Sequence, residues 1–217
     1  MATFGDRFSA GRLKNYQPTS FMKTPRSLLA VLCTFLAICG TQATTVIPPT
    51  FDELVGQAEL IFQGTVTDMR SQWAGEGGRR HIVSYVTIQV EDALKGNPGT
   101  TYTMRMLGGT VEGETMEVSD SPKFKIGDRE ILFVENNGKQ FIPLVGFMHG
   151  RFRVQRDERT GAEVVRNNEG KAVSDLTQLG KEDDHASANR SKAATDSGAA
   201  LDIAAFKSAI RSKLNAR

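Results

Sequence analysis

The feature that most constrains this chain is a mostly apolar run of 13 residues, Leu28–Gly40, which contains both of its cysteines. Lys23 and Arg26 precede the run, and small residues follow it. Such a run is too short to cross about 30 Å of hydrocarbon as a helix, but it matches the apolar region of a signal peptide. The sequence therefore predicts an exported protein whose folded part has no cysteine and is stabilised by an apolar core instead of disulfides.

The leader has boundaries that the sequence also predicts. We expect residues 1–43 to form it, with the signal peptide at 22–43 and cleavage after Ala43. Whether Met1 or Met22 is the true start stays open. A lipid anchor at Cys39 is a less favoured alternative, because Ile38 is large for the position before such a cysteine. The expected product is periplasmic or extracellular, with no stable membrane span after cleavage.

The charges of the remaining chain are nearly balanced. Residues 1–43 carry five basic and one acidic side chain, so residues 44–217 carry 22 basic and 24 acidic side chains, a net charge of −2. Acidic and basic residues are interspersed, which is typical of an ordinary solvated surface. Because nucleic-acid binding needs a basic patch or stripe, we expect no nucleic-acid partner.

Beyond the leader, short runs rich in β-branched and aromatic residues alternate with turn residues. Thr50 precedes a short helical segment, and Gly64 predicts a bulge or bend in the first run. This layout favours a mostly β domain over residues 44–170, a five-stranded closed barrel of the OB type with a short N-terminal helix and an extra β-hairpin. The strand-like runs cover 60–69, 82–94, 101–107, 129–135, 139–145, 151–156 and 162–166, with a hairpin turn predicted at Asn137-Gly138.

The C-terminal part changes character. Residues 171–200 contain a stretch rich in Ser, Ala, Asp and Lys without periodicity, which predicts a flexible linker. Residues 201–217 predict a separate amphipathic helix whose apolar face carries Ile203, Phe206, Ile210 and Leu214. Docking of this helix on its own domain is favoured, and binding to a partner or to a membrane surface remains an alternative.

Known catalytic motifs are missing from the sequence. It has no nucleophile elbow, no zinc-protease motif, no C-x-x-C pair and no phosphate-binding loop. The three histidines, His81, His149 and His185, have no neighbouring ligands at metal spacing. We therefore predict no catalytic residue, no cofactor and no metal site in the free protein.

One loop is a candidate recognition surface. Trp73 lies beside the glycine-rich segment that contains Gly75, Gly77 and Gly78. This loop joins two predicted strands, so it offers no helix N-terminus to a phosphate. The alternatives to recognition are that Trp73 packs at a sheet edge and that the glycine segment is a mobile turn.

Three segments carry a resemblance to a known family. They are A-E-L-I-F-Q-G-T-V at 58–66, V-T-I-Q-V-E-D-A-L-K-G at 86–96 and K-F-K-I-G-D-R-E-I-L-F-V at 123–134. Together they resemble the netrin-like domain, which the tissue inhibitors of metalloproteinases share, and the chain also resembles uncharacterised secreted bacterial proteins with the same layout. The resemblance covers residues 44–147, where the inhibitors' cysteines are absent.

This resemblance implies an OB-type barrel and a mechanism for inhibiting a metalloprotease. In those inhibitors the α-amine and carbonyl of the first residue chelate the protease's zinc, and the second side chain enters the specificity pocket. Carried over, the chelating backbone belongs to Thr44, the specificity residue is Thr45, and Val46 replaces the second cysteine. The first hypothesis is nevertheless an exported, non-catalytic binding or assembly module with a protein partner. A metalloprotease inhibitor and an enzyme of unrecognised type are the alternatives.

Overall fold

A computed structural model describes residues 47–158, 160–181 and 200–216. The leader, Thr44, Thr45 and most of the predicted linker lie outside these residues. The described residues form two α-helices, α1 (Phe51–Gln57) and α2 (Ile203–Asn215). They also form eight strands: β1 (Leu60–Ala74), β2 (His81–Lys95), β3 (Thr101–Leu107), β4 (Gly109–Val111), β5 (Glu114–Met116), β6 (Arg129–Val134), β7 (Arg151–Arg156) and β8 (Glu163–Asn167).

Six of the strands form one antiparallel sheet in the order β3-β2-β1-β6-β7-β8, and β4 and β5 form a small hairpin beside it. The mostly β prediction is therefore confirmed, and β7 and β8 form the extra hairpin. The closed five-stranded barrel is not confirmed, because the sheet has six strands and no pairing joins its two end strands, β3 and β8, within the described residues.

The long central strand β1 is irregular, and its irregularity explains a glycine. Its ladder with β2 shifts register at three places, one of them between Gln63 and Gly64, as the sequence predicted. A Cβ atom at Gly64 would lie 2.5 Å from the Gln89 carbonyl oxygen and 2.6 Å from Cγ2 of Ile88. Because no side chain fits there, glycine allows the two backbones to approach closely.

Alternation of side chains along the strands divides the apolar residues into two cores, one on each face of the sheet. The helix core lies under α1 and α2 and includes Ile61, Ile131, Phe133, Phe152, Val165, Phe206 and Ile210. The second core includes Phe62, Val86, Ile88, Met104, Met106, Leu132 and Val134, and is closed by Phe124, Ile142 and Leu144.

Helix α2 is present as predicted, but it is not separate from the domain. The side chains of Phe206 and Ile210 are fully buried in the helix core, and the Phe206 ring centre lies 5.0 Å from that of Phe152. The Lys207 ammonium donates to Asp92 Oδ2 at 2.8 Å and to Gln63 Oε1 at 2.9 Å. The amphipathic face therefore packs on the sheet, which is the favoured one of the three sequence-based alternatives.

The turn predicted at Asn137-Gly138 is present, but the strand predicted at 139–145 is not. Residues 139–145 form no strand and make one isolated bridge, between Val134 and Leu144. Asn137 instead uses its side chain on the edge of β3, where Oδ1 accepts from the Arg105 N–H at 3.0 Å and Nδ2 donates to the Thr103 carbonyl at 2.9 Å. The side-chain amide thus takes up backbone groups at the edge of β3. The chain then returns to the end of β6, where the Val145 N–H donates to the Phe133 carbonyl at 3.0 Å.

Candidate functional site

Strand β1 extends beyond its neighbour β6. Its pairing with β6 ends at Thr65, and the last contacts on this side join Val66 to Asp128 and Gly127. The pairing with β2 continues to Ala74. Since alternate residues of an antiparallel strand direct their N–H and C=O groups to opposite sides, the groups of residues 68–73 that point away from β2 have no partner among the described residues. We call residues 68–73 the distal edge of β1.

The two outer strands of the sheet have covered edges, unlike the distal edge. On β3, the Asn137 side chain and the Phe141 carbonyl form hydrogen bonds with backbone groups of the outer edge. On β8, the Val165 N–H donates to the Leu201 carbonyl, and its carbonyl accepts from the Val173 N–H. An uncovered strand edge is a template for pairing with another chain, and proteins usually protect such edges.

A cavity of about 140 Å³ opens beside the distal edge, at the end of the second core. Three methionines, Met69, Met106 and Met116, line it together with Val86 and Phe124. We call it the methionine cavity. Met69 belongs to the distal edge itself and is 36% exposed. Because the thioether side chain is flexible and polarisable, such a cavity adapts its shape to an apolar group.

The hairpin of β4 and β5 forms one wall of this cavity and is held by serines. Ser84 Oγ donates to the Gly108 carbonyl at 2.6 Å and lies 2.9 Å from Ser71 Oγ. Gly109, with φ of 136°, passes directly over these two hydroxyl groups. The base of this wall is therefore hydrogen-bonded to β2, and the contact between Ser71 and Ser84 links it to β1.

The loop predicted for recognition lies at the tip of the β1–β2 hairpin. Trp73 is partly buried and pairs with Ile82, and the Arg80 guanidinium lies 4.3 Å from its ring centre. The glycines are exposed, and nothing lies within 4 Å of a Cβ placed at Gly77 or Gly78. Trp73 thus continues the distal edge, whereas Gly75, Gly77 and Gly78 form a turn without a pocket.

The segment leading into α1 is held against the domain. Pro49 contacts Gly146 so closely that a Cβ atom there would lie 2.8 Å from Pro49 Cδ, and Gly180 packs equally closely on Thr50. Thr50 also forms a capping box with Glu53. Ile47 is 75% exposed, and Phe147, with φ of 61°, is exposed beside Gly146. The chain that follows Thr44 and Thr45 is therefore anchored without cysteines.

A second cavity, of about 170 Å³, is polar and lies where β6 and β7 diverge. Its lining includes Asp128, Glu130, Arg153 and Gln155. We call it the polar cavity. Glu130 pairs with Arg153 across the two strands and with Gly64 across β1 and β6, so its side chain points into the face of the second core.

Glu130 and Arg151 form a fully buried ion pair beside the polar cavity. Arg151 Nη2 donates to Glu130 Oε1 at 2.6 Å and to Asp128 Oδ2 at 3.3 Å, and its guanidinium stacks 4.3 Å from the Phe124 ring centre. Burial raises the pKa of Glu130 to about 7, and the hydrogen bond and charge of Arg151 act in the opposite direction. The carboxyl therefore exchanges its proton near neutral pH.

The histidines do not form a site among the residues described. His81 Nδ1 lies 3.1 Å from the Arg79 carbonyl oxygen, and burial lowers the pKa of the half-buried His149. His185 lies outside the described residues. No group of three or more His, Cys, Asp or Glu side chains in the described ranges is arranged to hold a metal ion.

The sequence missed the residues that the structure brings together. Met104 and Met106 alternate in the sequence as on one face of a strand, but no sequence pattern indicates that Met106 lines a cavity together with Met69 and Met116. No sequence pattern indicated that Glu130 would be buried against Arg151.

Neither described helix is long and apolar enough to cross a membrane. The chain matches no protein-family model, and neither a curated protein nor a solved structure is significantly similar to it.

Proposed function

We propose that this chain is an exported, non-catalytic binding module that takes an extended segment of a protein partner on the distal edge of β1. The observation that carries the proposal is the unpaired backbone of residues 68–73 directly beside the methionine cavity. Strand addition of this kind gains affinity from backbone hydrogen bonds and specificity from a pocket for a side chain. The preferred segment is extended and carries one apolar side chain that fills the methionine cavity.

A peptide library tests this proposal. Nine-residue peptides selected on the mature protein should protect the backbone amides of residues 68–73 from hydrogen exchange and leave those of β3 unchanged. Met69→Glu should weaken binding about tenfold or more, because a charge placed at the cavity mouth opposes the apolar side chain. Ser174→Glu, which adds the same charge at an exposed site away from the edge, should bind as the wild type does. Protection of another face, or equal binding by Met69→Glu, would overturn the proposal.

An OB-type, netrin-like sheet remains part of the proposal. The three segments that resemble the family, 58–66, 86–96 and 123–134, fall on β1, β2 and β6. These strands are immediate neighbours in the order β2-β1-β6. The resemblance thus gathers in one contiguous part of the sheet, with the long bulged β1 at its centre, which supports a partly open barrel of this type.

Export is the part of the proposal that the leader supports. N-terminal sequencing of the mature protein should begin at Thr44 or within a few residues of it. The thermal midpoint of that protein should not respond to a reductant, since neither cysteine lies after Ala43. An intact Met1 or Met22 on a soluble cytoplasmic protein would contradict export.

A metalloprotease inhibitor is the second candidate, and the anchored N-terminal segment favours it. The contact between Pro49 and Gly146 fixes the chain that presents Thr44 and Thr45. An α-amine has a pKa of about 8, so an appreciable fraction is neutral and able to bind zinc at neutral pH. Mature protein should then inhibit a secreted zinc protease, and a version with one additional N-terminal Ala should not. Equal inhibition by both forms would exclude chelation by the Thr44 backbone.

A further inference from the structure

Three buried side-chain atoms in the described ranges have no hydrogen-bond partner, and all three belong to one cluster. They are Glu130 Oε2, Arg151 Nε and Arg153 Nε. Unpaired buried polar atoms are costly, so folded proteins contain few of them. Glu130 and Arg153 also line the polar cavity. A fully buried carboxyl and a guanidinium with unused hydrogen-bonding groups therefore meet at an empty space between β6 and β7.

The charged side chains around this space belong to β6, β7 and the loop before β6. Asp128, Glu130, Arg151 and Arg153 lie on the cavity side, where Asp128 accepts hydrogen bonds from the Lys125 N–H and from Arg151. Arg129 also lines the polar cavity, but its guanidinium is paired with Glu91 and Glu163. With Glu130 ionised, two cations balance two carboxylates. With Glu130 protonated, the cluster has one net positive charge.

We propose that the polar cavity binds a small oxyanion, such as sulfate, against the Arg153 guanidinium, with Glu130 carrying a proton. Above the pH at which Glu130 titrates, one proton moves from solvent to Glu130 for each anion bound, which removes the repulsion between the Glu130 carboxylate and the anion. The protonated carboxyl also supplies a hydrogen-bond donor beside the guanidinium. This site is distinct from the proposed peptide site, because the polar cavity and the methionine cavity share no lining residue.

The pH dependence of sulfate binding tests the coupling. Calorimetric titration of the mature protein with sodium sulfate, at ionic strength held constant with sodium chloride, should give binding about tenfold tighter at pH 6 than at pH 8, because the protonated fraction of Glu130 changes by about that factor. Repeating the titration in two buffers of different ionisation enthalpy should show uptake of one proton for each sulfate above the pH at which Glu130 titrates. Absence of sulfate binding at pH 6 would overturn the proposal.

Two variants separate the roles of the residues. Glu130→Gln keeps the volume and the donor and has no charge, so it should bind sulfate equally well at both pH values. Arg153→Gln should lose binding, whereas Arg70→Gln, which removes an exposed guanidinium paired with Asp68, should bind as the wild type does. Retained pH dependence in Glu130→Gln, or unchanged binding in Arg153→Gln, would contradict the proposal.

A measurement on the unmodified protein covers the case in which a variant does not fold. In a nitrogen-15 spectrum, the Arg153 Nε–H resonance should shift on addition of sulfate, and the Arg70 Nε–H resonance should not. Equal shifts of both resonances, or a shift of neither, would show that sulfate does not occupy the polar cavity.

Discussion

The Glu130 carboxylate accepts a hydrogen bond of 2.6 Å from the Arg151 guanidinium, and neither side chain is exposed to solvent. The two residues lie on neighbouring strands, β6 and β7, and face the second core. A slip of one residue in the pairing would place the two side chains on opposite faces of the sheet. The ion pair therefore favours one register, and it places Glu130 beside the polar cavity.

Removing one partner of this pair should be strongly destabilising. Arg151→Met leaves the Glu130 charge buried without its partner, and we expect a loss of about 3–5 kcal/mol in the free energy of unfolding at pH 8. The double variant Glu130→Leu/Arg151→Met should recover most of that loss, because no buried charge remains. Urea unfolding followed by circular dichroism measures both. If Arg151→Met has the same free energy of unfolding as the wild type within experimental error, the ion pair does not contribute to stability.

The stability of the protein should fall as pH rises toward neutrality. The Glu130 pKa is about 7 in the folded state and 4.5 in an unperturbed carboxyl, so the folded state binds more protons between these values. This contribution is complete below pH 4.5 and is lost as pH rises through 7, for a total of about 3 kcal/mol.

Glu130→Gln is the control for this pH dependence. The lowered pKa of His149 produces an opposing trend below pH 6.5, and the lowered pKa of Asp92 acts below pH 3.8. Both are present in the wild type and in the variant. The difference between their unfolding curves at pH 5 and pH 8 therefore isolates Glu130, and equal pH profiles would refute a raised pKa.

Gly64 should tolerate no side chain. Gly64→Ala places a methyl group against the Gln89 carbonyl oxygen, and we expect a loss of about 1–3 kcal/mol because backbone must move to relieve the overlap. Gly78→Ala is the matched control, since nothing lies within 4 Å of its Cβ position. The thermal midpoints of the two variants should differ by several degrees. Similar midpoints would mean that the β2 backbone moves to accommodate the methyl group at little cost in stability.

Helix α2 should be essential for the stability of the domain. Phe206→Ala removes a fully buried ring that contacts Phe133 and Phe152, and the expected loss is about 3–5 kcal/mol. Ser208→Ala, on the exposed side of the same helix, should change stability by less than about 0.5 kcal/mol. Equal effects in chemical unfolding would show that the helix contributes little to the core.

The strand that is missing after the turn at Asn137-Gly138 shows where local patterns stop being sufficient. The dipeptide favours a turn between paired strands, but the Asn137 amide bonds with the β3 backbone, which lies far away along the chain. The C-terminal helix shows the same limit. Its amphipathic face was evident from residue spacing, whereas its position on the sheet depends on contacts with Phe152 and Asp92.

The sequence by itself determined the features that depend on residues close along the chain. These include the Thr50 cap of α1, the strands on either side of the glycine loop, the bulge at Gly64 and the amphipathic face of α2. Only the tertiary structure decided that β1 extends beyond its pairing with β6, that Met69 and Met116 line one cavity and that Glu130 pairs with Arg151. The physical reason is that local structure follows from backbone preferences and residue spacing. Contacts between residues far apart in the chain depend instead on which strands pair and on how the faces of the sheet pack.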